Sequence, residues 1–241
     1  MKRLFDFTLS FLGLVIFSPI FLILAIIIWL NDFSNPFFIA DRVGLNGKMY
    51  KMIKLRTMVI DAEKSGVDST SASDPRITGV GRFIRKFKLD ELPQLWNVFL
   101  GQMSFVGPRP NVKRETDLYS KVEKGLLKTR PGITDFSSIV FSDLAEILKD
   151  SEDPNLDYNQ LVRPWKSRLG LVYIEKGSFI LDLKLIVLTL IAIFSTDKAI
   201  QLIISLLVQV EASPEIINVV RREKKLVPTP PPGMDSIITF R

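Results

Sequence analysis

From Phe7 to Leu30 the chain is apolar, broken only by small or weakly polar residues and by Pro19. As a helix rising about 1.5 Å per residue, such a run covers a bilayer hydrocarbon core of roughly 30 Å. A helix apolar on every side has to be met by lipid or by a large core. A cleaved signal peptide fits poorly, because the run exceeds the usual apolar region and no small-x-small cleavage site closes it. Ser18-Pro19 sits near its middle. Proline removes one helical hydrogen bond and crowds the preceding turn, which favours a kink, and a neighbouring serine can serve a freed carbonyl. Two paths are open: the helix crosses the bilayer with a kink, or it bends back at Ser18-Pro19 and leaves on the side it entered. The frequency of proline in spanning helices favours crossing. Against it, Lys2 and Arg3 before the run and Lys48, Lys51, Lys54 and Arg56 after it make both flanks basic, as cytoplasmic flanks are.

The rest of the 241 residues is long enough to bury a core of its own. Neither cysteine nor histidine occurs. Disulfides, thiol nucleophiles, Ser-His and Cys-His arrangements and His-ligated metals are therefore excluded. Any catalysis rests on Asp, Glu, Lys, Arg, Ser or Tyr, and any metal takes oxygen ligands, which suits Mg²⁺. The net charge of +6 points to an anionic partner without choosing among nucleic acid, lipid headgroups and phosphorylated substrates.

Pro36 to Met58 reads as a small β-hairpin turning at Leu45-Asn46-Gly47. Asp61 to Asp74, rich in Ser, Asp and Gly, reads as a mobile surface loop. Gly79 to Lys86 suits a short basic amphipathic helix, Leu92 to Leu100 a second one closed by Gly101, and Gly107-Pro108-Arg109-Pro110 a rigid non-helical segment. Helices are expected over Tyr119 to Lys128, Leu144 to Leu148 and Pro164 to Lys176, with an acidic loop from Asp150 to Asp157. Ser178 to Phe194 and Ala199 to Val210 are apolar but make poor spans, since one carries Asp182 and Lys184 and the other is short; interfacial or core helices fit better. The prolines of Val227 to Gly233 read as a linker.

Chemistry concentrates around Asp90-Glu91. Pro93 belongs in the first turn of a helix, which places Asp90 at or near the N-cap and Glu91 just inside. Helix N-termini attract phosphate and keep carboxylates ionised. Arg82, Arg85, Lys86 and Lys88 lie immediately upstream. One carboxylate can attack phosphorus while the other holds Mg²⁺. The plainer reading is an ordinary cap beside a solvated basic face, and taken alone this segment favours it. Arg109, fixed between two prolines, suits bidentate phosphate binding or an equally common structural ion pair. Lys54 and Arg56 alternate with apolar residues as an exposed strand face would.

Together these residues resemble the bacterial sugar transferase family, the monotopic phosphoglycosyl transferases. Lys54-Leu55-Arg56-Thr57-Met58 resembles its Lys-x-Arg-Ser/Thr-Met motif. Ile77-Thr78-x-x-Gly81-Arg82-Phe83-Ile84-Arg85, followed by Leu89-Asp90-Glu91-Leu92-Pro93-Gln94-Leu95-Trp96-Asn97-Val98, resembles its central signature. Gly101-x-Met103-Ser104-Phe105-Val106-Gly107-Pro108-Arg109-Pro110, Pro131-Gly132-Ile133-Thr134 and Ser178-Phe179-x-Leu181-Asp182-Leu183-Lys184 continue it in order, over roughly Lys2 to Thr196. Asp135, where many members have Gly, and Phe105, where Leu is usual, depart from it.

The resemblance implies an α+β fold, mostly helical, with a re-entrant N-terminal membrane helix broken at Ser18 and Pro19, a small β-hairpin and interfacial amphipathic helices. It implies residues 1–33 as the membrane helix, 34–196 as a catalytic domain facing the cytoplasm at the bacterial inner membrane, and 197–241 as an apolar helix with a Pro-rich tail, in the manner of the short, minimal members. It also implies Asp90 as nucleophile, Glu91 as Mg²⁺ ligand, and Arg85, Arg109, Lys54 and Arg56 as phosphate-binding residues. The reaction implied moves a sugar-1-phosphate from a UDP-sugar to polyprenyl phosphate through a phosphosugar–aspartate, with membrane lipids as partners and a homodimer left open. The competing readings are a non-catalytic membrane-anchored scaffold in polysaccharide assembly and a basic nucleic-acid-binding module. The membrane anchor and the Pro-bounded acidic motif argue against nucleic acid, and the intact Asp90-Glu91 pair with Arg85 and Arg109 argues for an enzyme.

Overall fold

A computed structural model describes residues 1–62 and 74–239. The chain folds mostly as helices, with a small antiparallel hairpin and an apolar N-terminal helix. That helix, α1 (Lys2–Asp32), continues through Pro19. Proline cannot donate to the carbonyl four residues back, and Ser18 Oγ supplies the missing donor to Val15 O at 2.8 Å. Most of α1 is exposed, its apolar side chains included. Both of its ends are nevertheless tied to the same body. At the start, Lys2 Nζ donates to Asp182 Oδ2 at 2.7 Å and to Val106 O at 2.9 Å, while Arg3 donates to Val98 O and Phe99 O. At the end, Asp32 accepts two hydrogen bonds from Arg56, at 2.5 and 2.6 Å, and Leu24 and Ile28 pack on Leu55 and Ile84.

Strands β1 (Phe37–Val43) and β2 (Met49–Leu55) pair antiparallel, with Arg42 opposite Tyr50 and Phe38 opposite Lys54. The turn between them places Asn46 (φ 55°) and Gly47 (φ 77°) in the left-handed region that these two residues tolerate best. Then follow α2 (Gly79–Lys86), capped by Thr78, and, after a 3-10 turn over Leu89–Glu91, α3 (Gln94–Phe99). Asp90 is thus not a helix N-cap: Pro93 occupies that place on α3, and neither Asp90 nor Glu91 makes a capping hydrogen bond. The left-handed Lys88 (φ 53°) separates α2 from the 3-10 turn, so Asp90 lies in the elbow rather than on the helix that Pro93 opens.

Beyond α3 come β3 (Ser104–Val106), α4 (Lys113–Asp117), β4 (Gly132–Thr134), α5 (Phe136–Val140), α6 (Leu144–Ile147), α7 (Pro154–Asp157), α8 (Arg163–Lys176), α9 (Phe179–Phe194), α10 (Thr196–Gln209) and α11 (Pro214–Arg221). Most expected helices appear within a few residues. Tyr119 to Lys128 does not form an α-helix; its last six residues make 3-10 turns, and the buried Glu123 accepts from the Ser120 amide. The acidic stretch holds α7, which Asp153 caps, and a π-turn over Tyr158–Val162 joins it to α8. Val227 to Gly233 is non-helical but folds back on the body: Arg168 donates to Pro230 O and Ser120 Oγ to Pro232 O. The loop expected from Asp61 to Asp74 lies largely outside the described residues.

The main core gathers Phe136, Ile139, Leu169, Leu185, Ile203, Leu207 and Val220 from α5 and α8 to α11. Against it lies β3–β4, a parallel pair too short to be signalled by alternation. Its backbones touch. A Cβ on Gly132 would fall 2.1 Å from Gly107 N, and one on Gly107 would fall 2.3 Å from Arg130 O. Gly132→Ala is therefore expected to destabilise the protein by about 1–3 kcal/mol through overpacking. A thermal melt should read this as a lower midpoint, and an unchanged midpoint would show that the close approach is dispensable.

Candidate active site

The parallel pair sets the site. Each of its strands runs from the body to a common edge, with Val106 level with Thr134. Past that edge one strand continues into Gly107-Pro108-Arg109 and the other into Asp135. The C-terminal edge of parallel strands is where α/β sheets commonly receive ligands. Glu91 meets Arg109 there, accepting a very short hydrogen bond from Arg109 Nη2 and one of 3.4 Å from Nη1. Lys54, from the inner face of the hairpin, donates to Glu91 Oε1 at 3.0 Å and lies 3.7 Å from Asp90 Oδ2. Three segments distant in sequence thus converge on two adjacent carboxylates.

Both carboxylate side chains are only 14% exposed, yet their electrostatics diverge. Burial pushes Asp90 up, and with the neighbouring Glu91 charge it outweighs Lys54, Arg85 and Arg109, so the Asp90 carboxyl titrates above the usual range. Burial pushes Glu91 up too, but Arg109 and Lys54 overcome it and hold Glu91 well below the usual range. Arg109 is raised in turn, chiefly by Glu91. The arrangement leaves Glu91 firmly ionised and engaged, and Asp90 less tightly held.

Arg85 also belongs here, since its field reaches Asp90 and its Nε donates to Thr57 Oγ1 at 2.8 Å. Arg56 is not brought to the carboxylates; its guanidinium is engaged by Asp32 and by Asn35 O, where it fastens the end of α1. Ser18 and Pro19 lie on the exposed stretch of α1. Arg82 and Lys86, upstream of the pair in sequence, are exposed, as the plainer reading of that basic run holds.

Asp135 was visible in sequence only as a departure. Its side chain is buried and accepts hydrogen bonds from Ser137 Oγ, Ser138 Oγ and the Ser138 amide, with Asp135 capping α5. Lys166, on α8, feels the charges of Arg109, Asp135 and Glu91, and carried no sequence signal at all. Among the described residues no group of three acidic side chains forms that could enclose a metal by itself. A cavity of about 390 Å³ lies elsewhere: it is lined by Asn46, Lys113, Thr116, Lys124 and Lys128, among others, and by none of the expected site residues.

Residues 1–196 match the model of a family described as bacterial sugar transferase. A Bacillus subtilis protein provisionally named undecaprenyl-phosphate N-acetylgalactosaminyl 1-phosphate transferase is 46% identical over 109 residues, 45% of this chain and 61% of that protein. The exopolysaccharide production protein ExoY of Rhizobium meliloti is 38% identical over 148 residues, 55% of this chain and 66% of its own. The UDP-glucose:undecaprenyl-phosphate glucose-1-phosphate transferase of Klebsiella pneumoniae is 34% identical over 201 residues, covering 82% of this chain and 41% of its own. The chain thus spans less than two thirds of the length of these relatives.

Proposed function

The chain belongs to the bacterial sugar transferase family, and from that premise we propose that it transfers a sugar-1-phosphate from a UDP-sugar to undecaprenyl phosphate through a covalent phosphosugar on Asp90. The observation that carries this reading is the buried Asp90–Glu91 pair, with Lys54 and Arg109 holding Glu91 while the one ion pair of Asp90 among the described residues is the longer one to Lys54, at 3.7 Å. A nucleophile has to be available; a charge-holding neighbour has to be fixed. The relatives named for undecaprenyl-phosphate transfer support the acceptor and the reaction class.

In the first step an Asp90 carboxylate oxygen attacks the phosphorus that carries the sugar. The bond from that phosphorus to the bridging oxygen breaks, and UMP leaves with the electron pair. In the second, an oxygen of the lipid phosphate attacks the same phosphorus, the carboxylate departs, and a polyprenyl diphosphate sugar results with Asp90 restored. A carboxylate approaching a diphosphate meets like charge, and Lys54, Arg109 and Arg85 offset that repulsion at the phosphoryl group. The donor set suits Mg²⁺: Glu91 would supply an oxygen ligand, and an ion with few protein carboxylates commonly completes its shell with water and substrate phosphates. Bound there, Mg²⁺ would neutralise diphosphate charge.

The membrane arrangement belongs to the same proposal. A 31-residue helix is about 46 Å long, so a straight crossing would put its ends on opposite sides of the bilayer. Lys2 and Asp32 are both tied to one body, which supports a re-entrant path with its turn at Ser18-Pro19. The exposed Phe83, Phe87, Trp96 and Leu100 on and beside α2 and α3 fit an interfacial seat, close to the lipid phosphate. In this reading residues 34–196 are the catalytic domain, facing the cytoplasm at the inner membrane.

The test is to incubate the full chain with Mg²⁺ and a panel of UDP-sugars without lipid and to weigh the intact protein. A phosphosugar adduct is expected, discharged on adding polyprenyl phosphate, with both steps suppressed by EDTA. If folded protein gives neither an adduct nor lipid-dependent UMP release, the scaffold reading stands instead.

A further inference from the structure

Lysine is a poor choice for the first position of α1. A helix N-terminus carries partial positive charge, and no acidic residue of that first turn offsets it. A lysine that served only as an anchor would extend its ammonium to lipid headgroups. Instead the three donors of Lys2 Nζ all meet protein acceptors: Asp182 Oδ2 at 2.7 Å, the Tyr173 hydroxyl at 2.7 Å and Val106 O at 2.9 Å. Tyr173 donates in turn to Asp182 Oδ1 at 2.6 Å. Asp182 and Tyr173 are both buried. One ammonium thus joins α1, β3, α8 and α9.

Val106 O is where this cluster meets the site. Val106 ends β3, and the chain then runs Gly107-Pro108-Arg109. The peptide between Val106 and Gly107 is held at both of its polar atoms. Its carbonyl accepts from Lys2, and its N–H donates to Thr134 O at 3.0 Å. One residue earlier, Phe105 N donates to Asp6 Oδ1 at 3.2 Å. Lys2 and Asp6 lie one turn apart on α1, so a single helix face grips the strand twice. A planar peptide fixed at both its oxygen and its nitrogen cannot turn, and Pro108 fixes its own φ. Little backbone freedom is left between Lys2 and Arg109, whose guanidinium meets Glu91. The neighbouring cation Arg3 donates instead to Val98 O and Phe99 O, at the end of α3.

We propose that Lys2, with Tyr173 and Asp182, is a positioning residue for the transfer reaction: it fixes the Val106–Gly107 peptide and, through it, the placement of Arg109 against Glu91. The first turn of the apolar helix is then part of the framework of the site as well as an anchor. This deepens the transfer reading above and rests on it for the reaction that Arg109 serves. A catalytic group misplaced by about 1 Å can cost on the order of 10²-fold in rate, so a contact this far from Asp90 reaches the chemistry.

The experiment follows Asp90 labelling by intact mass, with the full chain in detergent micelles, Mg²⁺ and a panel of UDP-sugars, and no polyprenyl phosphate. Neither bilayer insertion nor lipid access then enters the rate. Lys2→Met removes the ammonium and keeps the stem. Arg3→Met cuts the other tie of the same helical turn without reaching β3. Tyr173→Phe keeps the ring and both charges. The limiting rate of labelling should fall about tenfold or more in Lys2→Met, less in Tyr173→Phe, and stay within about threefold of wild type in Arg3→Met. Lys2→Arg, which returns a cation to Asp182, should recover part of the loss. Wild-type labelling by a folded Lys2→Met makes Lys2 an anchor alone and overturns the proposal. So does an equal loss of rate and of thermal midpoint in Lys2→Met and Arg3→Met, which any loosening of α1 would give. If Lys2→Met does not fold, Tyr173→Phe against Arg3→Met carries the same comparison. If the wild type takes a label from no donor, the transfer reading falls, and amide hydrogen exchange over residues 104–111 decides the positioning: faster exchange there in Lys2→Met but not in Arg3→Met sustains it, and equal exchange overturns it.

Discussion

Asp90→Asn is expected to abolish the covalent adduct and to lower turnover by at least about 10⁴-fold, the scale on which loss of a nucleophile acts. Asparagine keeps the shape and most of the hydrogen-bonding capacity of aspartate but has no anionic oxygen to attack phosphorus. The protein should remain folded, because Asp90 makes no capping bond and its nearest cation, Lys54, keeps Glu91 as its partner at 3.0 Å. Glu91→Gln should behave differently. It removes the charge that holds Arg109 and Lys54, so both the arrangement of cations and the metal dependence should change while Asp90 can still be labelled. The raised Asp90 carboxyl also gives a direction for pH: protonation removes the nucleophile, so adduct formation should fail as pH drops, at values above the ordinary aspartate range near about 4. Labelling of Asp90→Asn at more than a tenth of the wild-type rate would dismiss Asp90 as the attacking group.

Arg163→Met is expected to produce the largest loss of stability, about 3–5 kcal/mol, because it strands a buried carboxylate. Glu123 is fully buried and accepts from Arg163 at 2.8 Å, from Ser167 Oγ at 2.7 Å and from the Ser120 amide at 3.0 Å. Arg163 is 1% exposed and also donates to Leu118 O and Asn159 Oδ1. The pair joins the 3-10 segment before β4 to the first turn of α8. Adding Glu123→Gln to Arg163→Met removes the stranded charge and should restore part of the loss, a coupling that a double-mutant cycle in denaturant measures. Additive effects of the two changes would mean that the pair acts as two independent residues.

Much of this architecture is legible in the sequence because its causes are local. The apolar run becomes α1, the Leu45-Asn46-Gly47 turn makes the hairpin, and Gly79 to Lys86 forms α2 at the expected bounds. Ser178 before an apolar stretch becomes the cap of α9 through its bond from the Leu181 amide. Failures have local causes too. Pro93 suggested that Asp90 capped a helix, but a left-handed Lys88 starts a 3-10 turn that takes in Asp90 and ends before Pro93. Tyr119 to Lys128 carries helical composition, yet Glu123 is drawn inward to Arg163 and the segment tightens into 3-10 turns.

At the site the division is similar. Asp90, Glu91, Lys54, Arg85 and Arg109 are legible because motifs keep their spacing, whereas Arg56 is adjacent in motif and remote in role, since it holds Asp32. Lys166 could not be found, because nothing within a few residues of it marks the place where α8 packs on α5.

By itself, then, the sequence determined the apolar helix and the hairpin turn, since those follow from composition and short-range order, and its motifs in order carried the resemblance to the family that residues 1–196 match. Only the tertiary structure decided which cations hold Glu91 and that both ends of α1 return to one body. Those outcomes depend on burial and on distances between segments up to 180 residues apart, as between Lys2 and Asp182, and neither quantity is carried by any single stretch of chain.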